Sequence, residues 1–583
     1  MTDQASKPQK PAEPLRSRLI RGLLYGQNVD RAAKSRARVG LVMVAFCGVY
    51  GIIAVRLIMF AVGSDGHGER RIARDAIATA RPDIVDRNGA VLATDIKSPS
   101  LFSEPRRIID KDEAIELLTA ALPDLDTPEV RERLSSRKGF AWLKRDVTPR
   151  QQRDIHRLGI PGIGFLPENK RVYPSGNAVS HLIGLVNIDN QGIAGMEKWL
   201  DNNGLADLHR AGFASDRLQK PVALAVDLRV EHALRDELMK AKVKYSAKAA
   251  SGLISNVNTG EIVAMVSLPD FDPNNPKEVH DPDRINRLTT GVYEMGSTFK
   301  TLTLAMALDS GKVGLNTMYD ARYPLSYGRF KIHDTHPLKR PISLSEVFTF
   351  SSNVGAAKIA LGQGVDAHKA FLKKVGQLDR LRTELPESAS PIVPKRWGEL
   401  NTITIAFGHG MAVAPLQAVM AINAMINGGY LIPPTFLKRT REEAQEVAKR
   451  VVKKETSDKV RYMMRLNAEI GTARKADVKG YYIGGKTGTA EKVVNGRYSK
   501  KQVLNSFTAV LPMDNPQYQV LIMIDEPKAL PETHGFITSG WNTVPVGGKV
   551  IARVAPLLGI QPRFDLPTAD RLILGASRTA AAQ

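Results

Sequence analysis

Residues 293–311 read YEMGSTFKTLTLAMALDSG, an apolar run entered through Ser297 and Lys300, three positions apart. On a helix, positions i and i+3 share a face, so the Lys300 amine reaches the Ser297 hydroxyl. If Ser297 sits in the first turn, the helix dipole there favours negative charge and disfavours a protonated amine, which suits a nucleophile and its base. Alone, the tetrapeptide is better explained as a helix cap with a solvated lysine, because S-x-x-K recurs by chance.

Two further stretches change that balance. LSEVFTFSSNVGAAKIA (344–360) places Ser351-Ser352-Asn353 between two helical patterns, offering a hydroxyl to relay a proton and an amide to hold a carbonyl. YYIGGKTGTAEK (481–492) reads as an edge strand in which Lys486, Thr487 and Thr489 can grip a carboxylate, while Gly488 lets another backbone lie close. The intervals are 351 − 297 = 54 and 486 − 351 = 135 residues. S-x-x-K, an S-x-N triplet and K-T-G in that order mark penicillin-binding proteins and serine β-lactamases.

The 583 residues exceed what one core holds, and 43% hydrophobic with 24% charged residues is a globular composition. The net charge of +22 suggests nucleic acid or an anionic surface. Residues 1–38 hold nine basic residues against Asp3, Glu13 and Asp30, and they read as a disordered cytoplasmic tail. Residues 39–63, VGLVMVAFCGVYGIIAVRLIMFAVG, carry one charge, Arg56, and match the ~20 residues of a membrane span. The stretch exceeds a signal-peptide h-region, so an uncleaved anchor is expected, with its basic flank inside and everything after Gly63 exported. The only cysteine, Cys47, lies in that span, which excludes disulfides and thiol chemistry from the exported part. Neither a nucleic-acid motif nor basic-aromatic interleaving occurs. His333 and His336 in IHDTH lack the further ligands of a zinc site and read as surface loop, so no metal is expected.

Residues 64–215 read as an α+β segment, with a hairpin at Asn88-Gly89 and helices at DKDEAIELLTAAL and TPRQQRDIHRLG. A strand at 222–226 leads through the N-cap Asp227 into an amphipathic helix, and two apolar strands flank the turn at Asn258, Thr259 and Gly260. This second domain runs over 216–562, and 563–583 read as a tail.

The match extends well beyond the three motifs. DIVDRNGAVLA (83–93), RVYPSGNAVSHLIGLVN (171–187), GIAGMEKWLD (192–201) and FGHGMAVAPLQ (407–417) make the chain resemble the class B penicillin-binding proteins over 39–562. Within them FAWLKRDVTPRQQRDIHRLGIPGIGF and VNIDNQGIAGMEKWLD resemble the cell-division branch rather than the elongation one. The resemblance implies an α+β multidomain fold. A single transmembrane helix leads into an elongated non-catalytic pedestal of the dimerisation type. The transpeptidase domain then has an antiparallel sheet with helices on both faces and an all-helical subdomain.

The resemblance further implies a cofactor-free D,D-transpeptidase that cross-links septal peptidoglycan stem peptides and is acylated by β-lactams. Ser297 would be the nucleophile, Lys300 its base, Ser351 a proton relay, Asn353 a binder of the donor amide, and Lys486 a source of positive potential. Thr487, Gly488 and Thr489 would bind substrate, and the N–H groups of Ser297 and Thr489 would form the oxyanion hole. A SEDS-type glycan polymerase and other division proteins would be the partners. Met295, Pro82 and His409 stand where the family usually has proline, glycine and tyrosine, beside the motifs rather than in them.

Three alternatives remain. An elongation-type transpeptidase shares the chemistry. A β-lactamase would need an acid-activated water, for which Glu399 and Asn401 in WGELN are candidates, although they fall 399 − 351 = 48 residues past the triplet. A penicillin-sensing receptor would need a signalling domain, for which the tail of residues 1–38 is too short, and a catalytically silent division scaffold would have no reason to keep all of Ser297, Lys300, Ser351, Asn353 and Lys486.

Overall fold

The computed structural model describes residues 31–62, 81–205, 220–494, 496–570 and 572. The expected basic tail up to residue 30, the end of the span at Gly63, the domain junction at 215–216 and the tail beyond 572 lie outside those residues. Helix α1 (Arg31–Val62) starts ahead of the expected span, so residues 31–38, read as unstructured, are helical. Their sequence, RAAKSRAR, is built from strong helix formers. Val39–Leu57 within α1 has a mean hydropathy of 2.1, enough in length and composition to cross a membrane. Its side chains are exposed throughout, a surface that water alone does not favour.

The chain resumes with β1 (Ile84–Val85) and β2 (Val91–Ser103), an antiparallel pair around Asn88-Gly89 as the sequence predicts. Asp86 Oδ1 accepts from the N–H groups of Asn88 and Ala90 at 2.7 and 2.8 Å, and Gly89 takes a φ of 89°. A side chain there would be strained.

Pro99–Leu166 forms one compact unit. Helices α2 (Lys111–Ala121), α3 (Pro128–Ser135) and α4 (Pro149–Arg157) start on Asp110, Thr127 and Thr148, whose side chains accept from first-turn N–H groups. With β3 (Ala141–Lys144), which pairs with Leu101–Ser103 of β2, they enclose Leu118, Leu134, Leu143 and Ile155.

The larger unit comprises Ala78–Ser98 and everything from Pro167 onward. A buried ion network ties its first segments together. Glu197 accepts from Arg81 Nε at 2.8 Å and Arg171 Nε at 2.6 Å, and Arg171 also reaches Asp95 at 3.1 Å. The charges of Arg171 and Glu197 are fully shielded from solvent, so each depends on its partner.

The strand predicted at 222–226 shortens to β4 (Val222–Ala223), which pairs in parallel with β1. Asp227 then caps α5 (Leu228–Lys244), as expected from its sequence. The central sheet contains β5 (Ala249–Asn256), β6 (Ile262–Leu268), β7 (Gly484–Val494), β8 (Arg497–Leu511) and β9 (Tyr518–Asp525), in the order β7-β8-β9-β5-β6, all antiparallel. β7, which carries the K-T-G stretch, is an edge strand.

Alternation along the strands sends Phe507, Ile522 and Ile524 to a layer with α5 and the C-terminal helix Thr543–Leu557. Leu504, Leu521 and Met523 go to the opposite layer of helices, among them Pro415–Ile426 and Lys454–Ile470. Both faces are therefore covered, which is why β6 and most of β9 read as nearly continuous apolar runs. The segment 344–426 is predominantly helical and extends the second layer. Beyond the expected boundary at 562, Arg563 N–H donates to Gly480 O at 2.7 Å and Ala569 N–H to Glu469 at 3.2 Å, so this part of the expected tail is seated on the domain.

Candidate active site

Three elements bring the sequence-selected groups together. Ser297 stands in a 3-10 turn, Gly296–Phe299, that leads directly into the helix Lys300–Asp309, so the nucleophile candidate precedes the α-helix instead of lying in its first turn. This turn is possible because Gly296 adopts a φ of 55° with Thr489 close by; a Cβ on Gly296 would stand 3.0 Å from Thr489 O. On the other side, a Cβ on Gly408 would collide with Gly296 O at 1.9 Å. The backbone around Ser297 is thus held between β7 and the Gly408 loop.

Lys300 is wholly buried. Its Nζ lies 2.9 Å from Ser297 Oγ, 2.6 Å from Ser351 O, 3.1 Å from Ser351 Oγ and 2.8 Å from Asn353 Oδ1. Two of these four, the Ser351 carbonyl and the Asn353 amide oxygen, can only accept. The amide orientation is fixed because Asn353 Nδ2 donates to His333 O at 3.1 Å. A neutral amine has two N–H groups for those acceptors, leaving its lone pair to take a proton from a serine hydroxyl. Burial, assisted by the charge of Lys486 and opposed by Asp334, pushes Lys300 well below the usual lysine range. Both lines favour the amine as a base.

Lys486 is equally buried, and its Nζ donates to Ser351 Oγ at 2.9 Å and Thr487 O at 3.1 Å. Burial lowers its pKa to about 7. Ser351 therefore sits between two lysines, and it does so at a φ of 60°, unusual for a residue with a side chain. Such strain persists only where neighbours impose it. Thr487 Oγ1 pairs with Thr472 Oγ1 at 2.7 Å, and Thr489 Oγ1 accepts from Ser539 N–H at 3.2 Å. Gly488 is required by packing, since a Cβ would meet Ser506 Oγ at 2.3 Å and Met295 O at 2.7 Å.

Several supporting residues escaped the sequence reading. Asp334 lies between His333 and His336, which drew attention as possible metal ligands. Its carboxylate accepts from Ser352 Oγ at 2.7 Å, Asn353 N–H at 2.6 Å and Val354 N–H at 2.9 Å, fixing the triplet at the start of the helix Asn353–Gln363. Asn467 Nδ2 donates to Gly485 O, and its Oδ1 accepts from Thr472 N–H, which positions the start of the K-T-G strand. No spacing rule marks either residue. Glu399 and Asn401 are engaged elsewhere: Glu399 accepts from the Tyr327 hydroxyl at 2.8 Å and Asn401 from Gly398 N–H at 3.0 Å.

A sheet with helices on both faces, carrying a serine and two buried lysines around a second serine, defines a class: the penicillin-binding acyl-transfer fold. The Penicillin binding protein transpeptidase domain matches residues 250–539, which include every residue of the cluster, and the Penicillin-binding Protein dimerisation domain matches residues 76–203. The chain is 37% identical to the probable peptidoglycan D,D-transpeptidase FtsI of Caulobacter vibrioides, over 92% of this chain and 90% of that one. It is 29% identical to the peptidoglycan D,D-transpeptidase FtsI of Escherichia coli K12, covering 91% and 93%. A crystal structure of penicillin binding protein 3 from Mycobacterium tuberculosis, complexed with aztreonam, shares the fold at a TM-score of 0.63 and 22% identity, covering 83% of this chain and 98% of that one. The chain belongs to the penicillin-binding family of peptidoglycan D,D-transpeptidases.

Proposed function

We propose that this chain cross-links peptidoglycan stem peptides at the division septum through an acyl-enzyme on Ser297. Lys300 takes the proton from Ser297 Oγ as it attacks the carbonyl of the penultimate D-alanine. The oxyanion is held by the N–H groups of Ser297 and Thr489, a device whose loss costs about 2.7–4 kcal/mol per donor. Ser351 returns a proton to the departing amine of the terminal D-alanine. Asn353 binds the donor amide, while Lys486, Thr487, Gly488 and Thr489 receive the terminal carboxylate. An acceptor amine then attacks the ester, forming the cross-link and freeing the serine. β-Lactams acylate the same hydroxyl.

The observation that carries this reading is the 2.9 Å contact between Lys300 Nζ and Ser297 Oγ in a buried site shared with Ser351. Residues 64–215 serve as the pedestal, and 216–562 form the catalytic domain. The basic flank holds the N-terminus in the cytoplasm and the catalytic domain outside. In the membrane the span meets a SEDS-type glycan polymerase, and other division proteins dock on the pedestal. A fluorescent penicillin should label the full chain through Ser297 with slow release, and Ser297→Ala should abolish it. Rapid turnover of the adduct, or mass-spectrometric detection on another side chain, would refute the assignment.

A further inference from the structure

β8 pairs with β9 only from Leu504 to Leu511, whereas its pairing with β7 continues out to Val494 and Arg497. The outer ends of β7 and β8 thus project beyond the sheet as a two-stranded ribbon, with Val493 58% and Tyr498 49% exposed. A lone two-stranded ribbon is marginally stable and needs a tie to hold its place. Lys492 Nζ ties one side of it to Asp525 and Glu526 at 3.0 and 2.7 Å, and a side chain on the segment leading into Ser297 ties the other. Glu294, three residues before Ser297, accepts with Oε1 from the Tyr498 hydroxyl at 3.0 Å and from Gly410 N–H at 2.8 Å.

Nearby backbone bonds complete the junction: Tyr293 and Val413 exchange N–H to O bonds at 2.9 and 3.0 Å, and Gly296 N–H donates to Gly408 O at 3.1 Å. His409 stacks edge-on against Tyr498, with ring centroids 5.6 Å apart. Glu294 therefore joins the turn that presents Ser297, the Gly408–Val413 loop and the ribbon that continues the K-T-G strand.

We propose that Glu294, with Tyr498 as its partner, is a positioning residue that latches the projecting ribbon to the nucleophile turn and sets the reach of Ser297 during acylation. This rests on the reading of Ser297 as the acylated residue. Removing the carboxylate leaves the Gly410 N–H and the Tyr498 hydroxyl without their acceptor and frees the turn on one side. Glutamine keeps an acceptor oxygen in place.

The test uses the full chain in detergent and a fluorescent penicillin, with rates expressed per labelled site so that loss of folded protein does not count. Glu294→Ala should slow acylation about 10-fold or more, as expected for losing hydrogen bonds to a charged group. Glu294→Gln should recover most of that rate. Tyr498→Phe should slow acylation in the native background and add nothing in the Glu294→Ala background, because contacting residues couple. Amide exchange in the ribbon should rise in Glu294→Ala while that of α5 stays unchanged. Acylation by Glu294→Ala at the native rate, an undiminished Tyr498→Phe effect in its absence, or unaltered ribbon exchange would overturn the latch. If the native chain is not acylated at all, the Ser297 reading fails, and the exchange measurement still decides whether the latch exists.

Discussion

At the scale of single residues, Lys486 contributes to the pH dependence of stability alongside Lys300, whose pKa burial also lowers. The pKa of Lys486 is lowered to about 7, so between about 7 and the ordinary lysine value the unfolded chain binds more protons at that amine than the folded one. The contribution of Lys486 to stability therefore rises with pH across that window, and the cost of burying its charge is fully present below it. Lys486→Met should raise the melting temperature more at about pH 6 than at about pH 9 while sharply slowing acylation, a trade of stability for function. Thermal melts at the two pH values check the first part, and a gain independent of pH would contradict it. Lys300→Ala should lower the penicillin acylation rate by about 100-fold or more, the usual worth of a positioned base.

Short elements depend on groups that cap or crowd them. Asp334 holds the first turn of the helix Asn353–Gln363 and the adjoining Ser351-Ser352-Asn353 turn with three bonds. Asp334→Ala should destabilise the domain by about 1–2 kcal/mol, as loss of a helix cap does, and slow acylation because Ser351 is no longer forced into its strained conformation. Asp334→Asn, which retains an acceptor for the backbone N–H groups, should recover much of the stability in denaturant titrations. Gly408→Ala should be far more damaging, since its Cβ would overlap Gly296 O and its φ of 88° disfavours a side chain. Soluble yield and labelling of that variant measure the effect directly.

For the whole molecule, the decisive buried charges lie far along the chain from Ser297. Glu197 bridges Arg81 and Arg171, and each of these also meets a second carboxylate, Asp201 and Asp95 respectively. Glu197→Ala takes from each guanidinium one of its two carboxylate partners and breaks their buried hydrogen bonds, and should cost about 3 kcal/mol, visible as a lowered unfolding midpoint. Removing α1 should release the protein from membranes yet leave penicillin labelling intact, because none of the cluster residues lies on it.

The sequence by itself determined the apolar span, the hairpin at Asn88-Gly89, the Asp227 cap and the three motifs of the site, because each is a local pattern of residue types at fixed spacing. Family membership was legible for the same reason. Tertiary structure alone decided that Ser297 stands in a 3-10 turn ahead of the helix, that Ser351 is strained between two buried lysines, and that Asp334, Asn467 and Glu294 hold the parts in place. Those facts depend on burial and on contacts between residues distant in the chain, and neither is encoded in any short stretch.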